Sequence, residues 1–150
     1  SVDEHSLHTD GAGAGEYRGG SGAVRVYRSM NENQTFTASF GRNKWPVWGA
    51  AGGKDGSVNY FQFIDADGTV SEPMGIAARR VMNTNDVVRM VTATGGGYGN
   101  PFKRPAEKVA MDVKNEYITV EQAKADYGVL VDPETFKVLG LTEERQKAEK

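Results

Sequence analysis

The sequence predicts a mainly β fold with a short helical C-terminal part, and three observations carry that reading. Apolar and polar residues alternate along several short runs before position 100, the period of a half-buried strand. Seventeen of the 19 glycines also lie before position 100, punctuating those runs. After Pro105 the apolar period changes to that of a helix, and glycine nearly disappears.

In chain order, Val24–Met30 and Thr35–Phe40 alternate on either side of Asn31-Glu32-Asn33, which predicts a β-hairpin with one buried face. Val58–Ile64, the turn Asp65-Ala-Asp-Gly68 and Thr69–Ser71 predict a second hairpin. Ile76–Met82 and Val87–Thr92 are extended, with a turn at Asn83–Asp86. Ala106, Val109, Ala110 and Val113 share one helical face, with Pro105 at a tolerated first-turn position. Thr119-Val-Glu-Gln122 has the form of a capping box, and Gly128 stands where a left-handed C-terminal residue is favoured. A helix over about 120–127 follows. Val129–Val131 predicts a short strand, Asp132-Pro133 a turn, and Thr142–Lys150 a charged, fraying helical tail.

With 150 residues the chain suits one domain, 1–150, made of a glycine-rich β part (1–100) and a helical part (101–150). The charged fraction is 25 % and the net charge −2, leaving no basic footprint for nucleic acid or an anionic membrane. The absence of cysteine excludes disulfide scaffolds, thiolate metal sites and cysteine nucleophiles. No apolar run approaches the roughly 18 residues of a membrane span, and Ser1-Val-Asp-Glu-His5 lacks the basic-then-apolar pattern of a signal segment, so a cytoplasmic location is expected.

Phosphate-binding signatures fail on spacing. Gly52-Gly-Lys54-Asp55 places Asp55 where a P-loop needs a hydroxyl, and Gly13-Ala-Gly15 is followed by Arg18 where a dinucleotide fingerprint needs glycine. His5, His8 and Asp10 are the one group close enough in sequence to act together on a metal, although terminal histidines are more often solvated, so no metal is assigned. Asp65, Asp67 and Gly68 hint at a calcium loop, but Met74 stands where a bidentate glutamate is due. No serine triad can be built on the two histidines. Arg18 could clamp an anion or tie its own loop's carbonyls. The aromatics Trp45, Trp48, Tyr60, Phe61 and Phe63 read as core, with an interface as the sharper alternative. Arg18, Trp45, Trp48, Lys54 and Tyr98 are the candidate substrate or interface residues, with no catalytic residue identified.

Several phrases together resemble the C-terminal end of the hydantoinase B family. They are Gly15-Glu-Tyr-Arg-Gly-Gly-Ser-Gly22, Pro46-Val-Trp-Gly49 with Gly52-Gly-Lys-Asp-Gly56, Asp67-Gly68, Thr94-Gly-Gly-Gly-Tyr-Gly-Asn-Pro101, and Tyr117–Ala123 running to Val129. The match runs over about 3–132. The resemblance implies a share in an ATP-dependent enzyme: a ketone carboxylase of the acetone or acetophenone type, or alternatively an N-methylhydantoinase or 5-oxoprolinase. Family members are several times longer, and chain length alone favours a separate small subunit of the ketone carboxylases.

The resemblance further implies a hetero-oligomer with a hydantoinase A-type ATP-binding subunit and the remainder of a hydantoinase B-type subunit. ATP with Mg or Mn would be used by those partners, and a Zn or other divalent ion would sit elsewhere in the complex, with none bound here. It also implies β-sheets in a barrel-like or sandwich arrangement beside polyproline-II-like segments. There Gly95, Gly96, Gly97 and Gly99 would let backbones touch and Tyr98 would act as an anchor. A stand-alone binding or scaffold domain is the rival from another class.

Overall fold

A computed structural model describes residues 1–9 and 11–148. The chain is mainly β, with eight strands, three α-helices and a 3-10 turn at Pro101–Lys103 among the described residues. It divides into two compact units, each assembled from three separate stretches.

The first unit comprises Ser1–His8, Gly22–Pro46 and Val58–Ala93. Strands β1 (Val2–His8), β2 (Gly22–Arg28), β6 (Val87–Val91) and β4 (Tyr60–Ile64) form one antiparallel sheet in the order β1-β2-β6-β4. β3 (Gln34–Ser39) and β5 (Ile76–Met82) form a separate antiparallel pair. The two sheets meet over a small aromatic core. Phe61 and Phe63 of β4 are buried, and Phe36 of β3 stands edge-on to both, with ring centroids 5.9 and 5.5 Å away. Phe40 closes on Phe61 at 5.6 Å. Edge-to-face packing lets the positive ring edges meet the negative faces, adding to what the buried area contributes.

The predicted hairpin of Val24–Met30 with Thr35–Phe40 does not form. β2 is an interior strand with β1 on one edge and β6 on the other, so neither edge is open to β3, which pairs with β5. The second hairpin does form around Asp65–Gly68: Asp65 N–H donates to Thr69 O at 2.9 Å, and Ile64 bridges Val70. The turn at Asn83–Asp86 is present, with Asp86 Oδ2 accepting from Asn83 N–H at 2.7 Å, but it joins strands of different sheets. No closed barrel is found among the described residues; the sheets are open.

The second unit comprises Thr9–Ser21, Val47–Ser57 and Thr94–Lys150, of which Asp10, Glu149 and Lys150 are outside the described residues. Helix α1 (Ala106–Lys114) and helix α2 (Val120–Tyr127) pack with strands β7 (Val129–Val131) and β8 (Val138–Leu141) around Val109, Val113, Ala123, Tyr127 and Val129. The capping box of α2 is complete: Gln122 N–H donates to Thr119 Oγ1 at 3.1 Å and Thr119 N–H to Gln122 Oε1 at 2.8 Å. Gly128 ends the helix at φ 63°, the left-handed region that a side chain makes costly.

The expected fraying tail is instead a docked helix, α3 (Glu143–Ala148). Its Arg145 is buried and donates to Tyr127 O at 3.0 Å and Arg104 O at 2.8 Å, tying α3 to both ends of the helical layer. Glu149 and Lys150, the last two residues of that expected tail, lie outside the described residues.

Candidate interaction site on the glycine-rich unit

The segment Thr94–Gly99 is the centre around which the other two glycine-rich stretches are wound. Its amides donate in several directions: Gly95 N–H to Gly20 O (2.8 Å), Gly97 N–H to Lys54 O (2.8 Å), Tyr98 N–H to Tyr17 O (2.9 Å) and Gly99 N–H to Ala50 O (2.9 Å). Gly13 N–H donates to Gly95 O and Ala50 N–H to Gly97 O, both at 2.9 Å. Extended backbones held this way leave no room for side chains between them. A Cβ at Gly13, Gly15, Gly19, Gly53, Gly56, Gly95, Gly96 or Gly97 would come within 3.0 Å of main-chain atoms of a neighbouring segment, and one at Gly49 within 3.0 Å of main-chain atoms of Gly53 and Lys54. Gly99 is required for a different reason, its φ of 78°.

Thr94, fully buried, locks the start of this segment. Its Oγ1 donates to Gly11 O at 2.8 Å and accepts from Ser57 N–H at 2.8 Å, while its own N–H donates to Ser57 Oγ at 2.9 Å. A threonine at a strand end carries no sequence signal for this role.

The same packing removes the phosphate cradle physically. Gly53 N–H donates to Ala50 O and Lys54 N–H to Ala14 O, so amides of the Gly52–Asp55 loop are spent on backbone. Lys54 Nζ lies 2.6 Å from Asp126 Oδ1, and Asp55 Oδ1 accepts from Gly49 N–H at 2.8 Å. Lys54 therefore ties the Val47–Ser57 stretch to α2.

Arg18 points inward. It donates to Gly19 O at 3.0 Å, its guanidinium stacks 4.7 Å over the Tyr117 ring, and its Nε lies 3.7 Å from Asp112 Oδ2. Asp112 is buried and is held chiefly by Arg104, whose Nε and Nη2 approach Oδ2 at 3.0 and 2.8 Å. Arg104 also donates to Glu16 O at 3.0 Å, joining the glycine-rich stretch to the helical layer. Nearby, burial pushes the Tyr127 hydroxyl up to about 12.

The surface of this wound backbone carries three large exposed aromatics, Tyr17, Trp48 and Tyr98, at 62, 72 and 58 % exposure. Tyr98 bridges Tyr17 on one side and Ala50 on the other, and the Tyr17 and Tyr98 rings stand 6.3 Å apart at 54°. The Trp48 carbonyl lies against Gly96 at a spacing that no Cβ could occupy. Aromatics on rigid backbone lose little freedom on contact, and exposed apolar clusters of this kind mark interaction surfaces. The aromatic set seen in the sequence thus splits: Phe61 and Phe63 are core, whereas Trp45 and Trp48 are exposed, Trp45 in the first unit.

His5 and His8 lie on β1 three residues apart, so the strand's period of two sends them to opposite faces. His8 Nδ1–H donates to Thr92 O at 2.9 Å. Asp10, the third member of that candidate set, lies outside the described residues. Among the described residues no group of three or more His, Cys, Asp or Glu could hold a metal ion, and no helix is long and apolar enough to cross a membrane.

Comparison with known proteins places this architecture. The beta chain of the caprolactamase of Pseudomonas jessenii is 31 % identical over 147 residues, covering 87 % of this chain and 23 % of the relative. The crystal structure of the ATP-dependent caprolactamase from the same organism superposes with a TM-score of 0.74 at 30 % identity, over 97 % of this chain and 25 % of that one. The B-type component of a putative D-/L-hydantoinase from a Pseudomonas species is 30 % identical over 132 residues, 87 % of this chain and 22 % of the relative. A nucleotide-free acetone carboxylase shares the fold, with a TM-score of 0.74 at 17 % identity over 98 % of this chain and 24 % of that one. The chain therefore spans about a quarter of the length of the proteins it matches. The family model for hydantoinase B/oxoprolinase matches residues 1–101, which include β1 to β6 and all three glycine-rich stretches, and with these relatives it shows that the chain belongs to the hydantoinase B/oxoprolinase family.

Proposed function

We propose that this chain is the C-terminal, non-nucleotide-binding part of a hydantoinase B-type subunit, and that it supplies an interaction surface within an ATP-dependent enzyme. Its partners are the remainder of that subunit and a hydantoinase A-type ATP-binding subunit. ATP with Mg or Mn belongs to those partners. The observation that carries this reading is the exposed set Tyr17, Trp48 and Tyr98, mounted on backbone that glycine packing prevents from moving.

The reaction class favoured is ATP-dependent opening of a cyclic amide. The relatives at 30 and 31 % identity are named for hydantoin and caprolactam, whereas the ketone carboxylase match, at 17 %, supports the fold alone. Carboxylation of a ketone, the class favoured by chain length, is the second reading and rests on that shared fold.

The test is a Trp48→Ala/Tyr98→Ala double variant, expressed with the hydantoinase A-type subunit and the remainder of the B-type subunit. Both side chains are more than half exposed, so the variant stays folded, which its melting temperature checks. Loss of two interface aromatics weakens assembly by roughly 2 kcal/mol or more, about 30-fold, and ATP turnover falls with it. Assembly at wild-type affinity would sink the interface reading. Measuring lactam- or hydantoin-dependent ADP release against ketone- and bicarbonate-dependent release separates the two reaction classes.

A further inference from the structure

The first unit has an incomplete sandwich. Its larger sheet has four strands and the facing sheet only two, β3 and β5. The β3–β5 pair covers β4 through Phe36 and through Arg80, whose guanidinium sits 5.1 Å over the Phe63 ring. Beside β3 a groove of about 450 Å³ remains open, with Tyr27, Phe36, Met82, Val88 and Met90 as its apolar lining, Gln34 and Thr35 of β3 at its wall, and Ser1, Arg28 and Ser29 as its polar lining. One edge of β3 pairs with β5, and among the described strands none pairs with the other. A two-stranded sheet is marginal alone, and an unpaired edge beside an apolar floor is the geometry that strand addition uses.

We infer that the open edge of β3 receives an extended segment of the remaining hydantoinase B-type polypeptide, which becomes the third strand of the small sheet and buries the groove. The inference rests on the proposed membership of a larger subunit. Relatives are about four times as long as this chain, so most of their polypeptide lies outside the matched quarter and is available as the occupant. The groove's chemistry sets the occupant's pattern. Alternate residues must be apolar to meet Tyr27, Val88 and Met90, while its main chain pairs with β3. A compact small molecule would fill the floor but would leave the β3 amides unpaired.

The experiment uses the assembled enzyme and the chain alone. Amide exchange of Gln34–Ser39 is compared between the two, with expected slowing of roughly tenfold or more in the assembly. In parallel, Thr35→p-benzoylphenylalanine, at an exposed position on the groove wall, is irradiated within the assembly and the captured peptide sequenced. A peptide from the B-type polypeptide with alternating apolar residues is the expected product. Unchanged exchange in an assembly that does form overturns the inference and leaves the proposed function standing, as does capture of the A-type partner, of a second copy of this chain, or of nothing. Failure to assemble at all sinks the proposed function instead.

Discussion

Replacing Gly96 by alanine tests the idea that glycine is here a packing requirement rather than a source of flexibility. The new Cβ would meet Trp48 O and C closer than 3.0 Å and Gly49 N at 3.0 Å. All three are main-chain atoms, so no rotamer change relieves the overlap, and the Val47–Ser57 stretch is pinned by bonds such as Gly56 N–H to Val47 O at 2.8 Å. Overpacking of this kind costs about 1–3 kcal/mol, and the rigid neighbours put Gly96 at the upper end. Restricting the unfolded chain returns about 0.4–1 kcal/mol. The net loss is about 2 kcal/mol, a fall in Tm of about 4–8 °C for a chain of this size. Gly20→Ala is the control: it lies in the same unit, but a Cβ there would meet nothing within 4 Å. Calorimetry should therefore separate the two variants, with Gly20→Ala unchanged or slightly stabilised. Equal melting temperatures would refute the reasoning, because they would mean that the bundle yields to a methyl group.

Other outcomes follow from the buried polar groups. Asp112→Ala removes the carboxylate between Arg104 and Arg18 and leaves guanidinium charge buried; a loss of roughly 3–5 kcal/mol is expected in chemical denaturation. The Tyr127 hydroxyl is buried without a hydrogen-bond partner, so Tyr127→Phe should be neutral or stabilising by up to about 1 kcal/mol at pH 7. Burial raises its ionisation from 10.0 to about 12. The neutral form is therefore the one that folding favours, and that contribution is complete below pH 10 and lost as pH rises towards 12. Alkaline titration of stability should show one fewer proton released on unfolding in the phenylalanine variant, and identical slopes would contradict the assignment.

Signals in the sequence are legible where the physics is local. The capping box at Thr119 and Gln122 and the left-handed Gly128 bound α2 at Val120–Tyr127, because both ends are fixed by residues within one turn. Strand pairing is less legible. Val24–Met30 and Thr35–Phe40 alternate correctly, yet their partners are set by distant strands competing for edges, and the connection Asn31–Gln34 carries no Asn-Gly signal. Glycine clustering shows that close packing is needed but not which segments touch, since that depends on spacings found only in three dimensions. Aromatic clustering is equally silent on side: Phe61 is buried and Trp48 exposed within one glycine- and aromatic-rich region. Arg145 is hidden entirely, because one arginine in Glu143-Glu-Arg-Gln-Lys147 reads as a solvated charge.

The order in which the polypeptide emerges gives the Thr94–Gly99 segment a further importance. Residues 9–21 and 47–57 come off the ribosome first, but their inward amides and carbonyls are completed by atoms that appear only after position 94. Until then the two stretches have only their bonds to one another and within themselves, such as Lys54 N–H to Ala14 O, and the long separations in sequence make closure slow. Only once Thr94–Gly99 has cleared the ribosome can the glycine-rich part close. The central segment is thus a timing element, the last of the three glycine-rich pieces and the one the other two wait for.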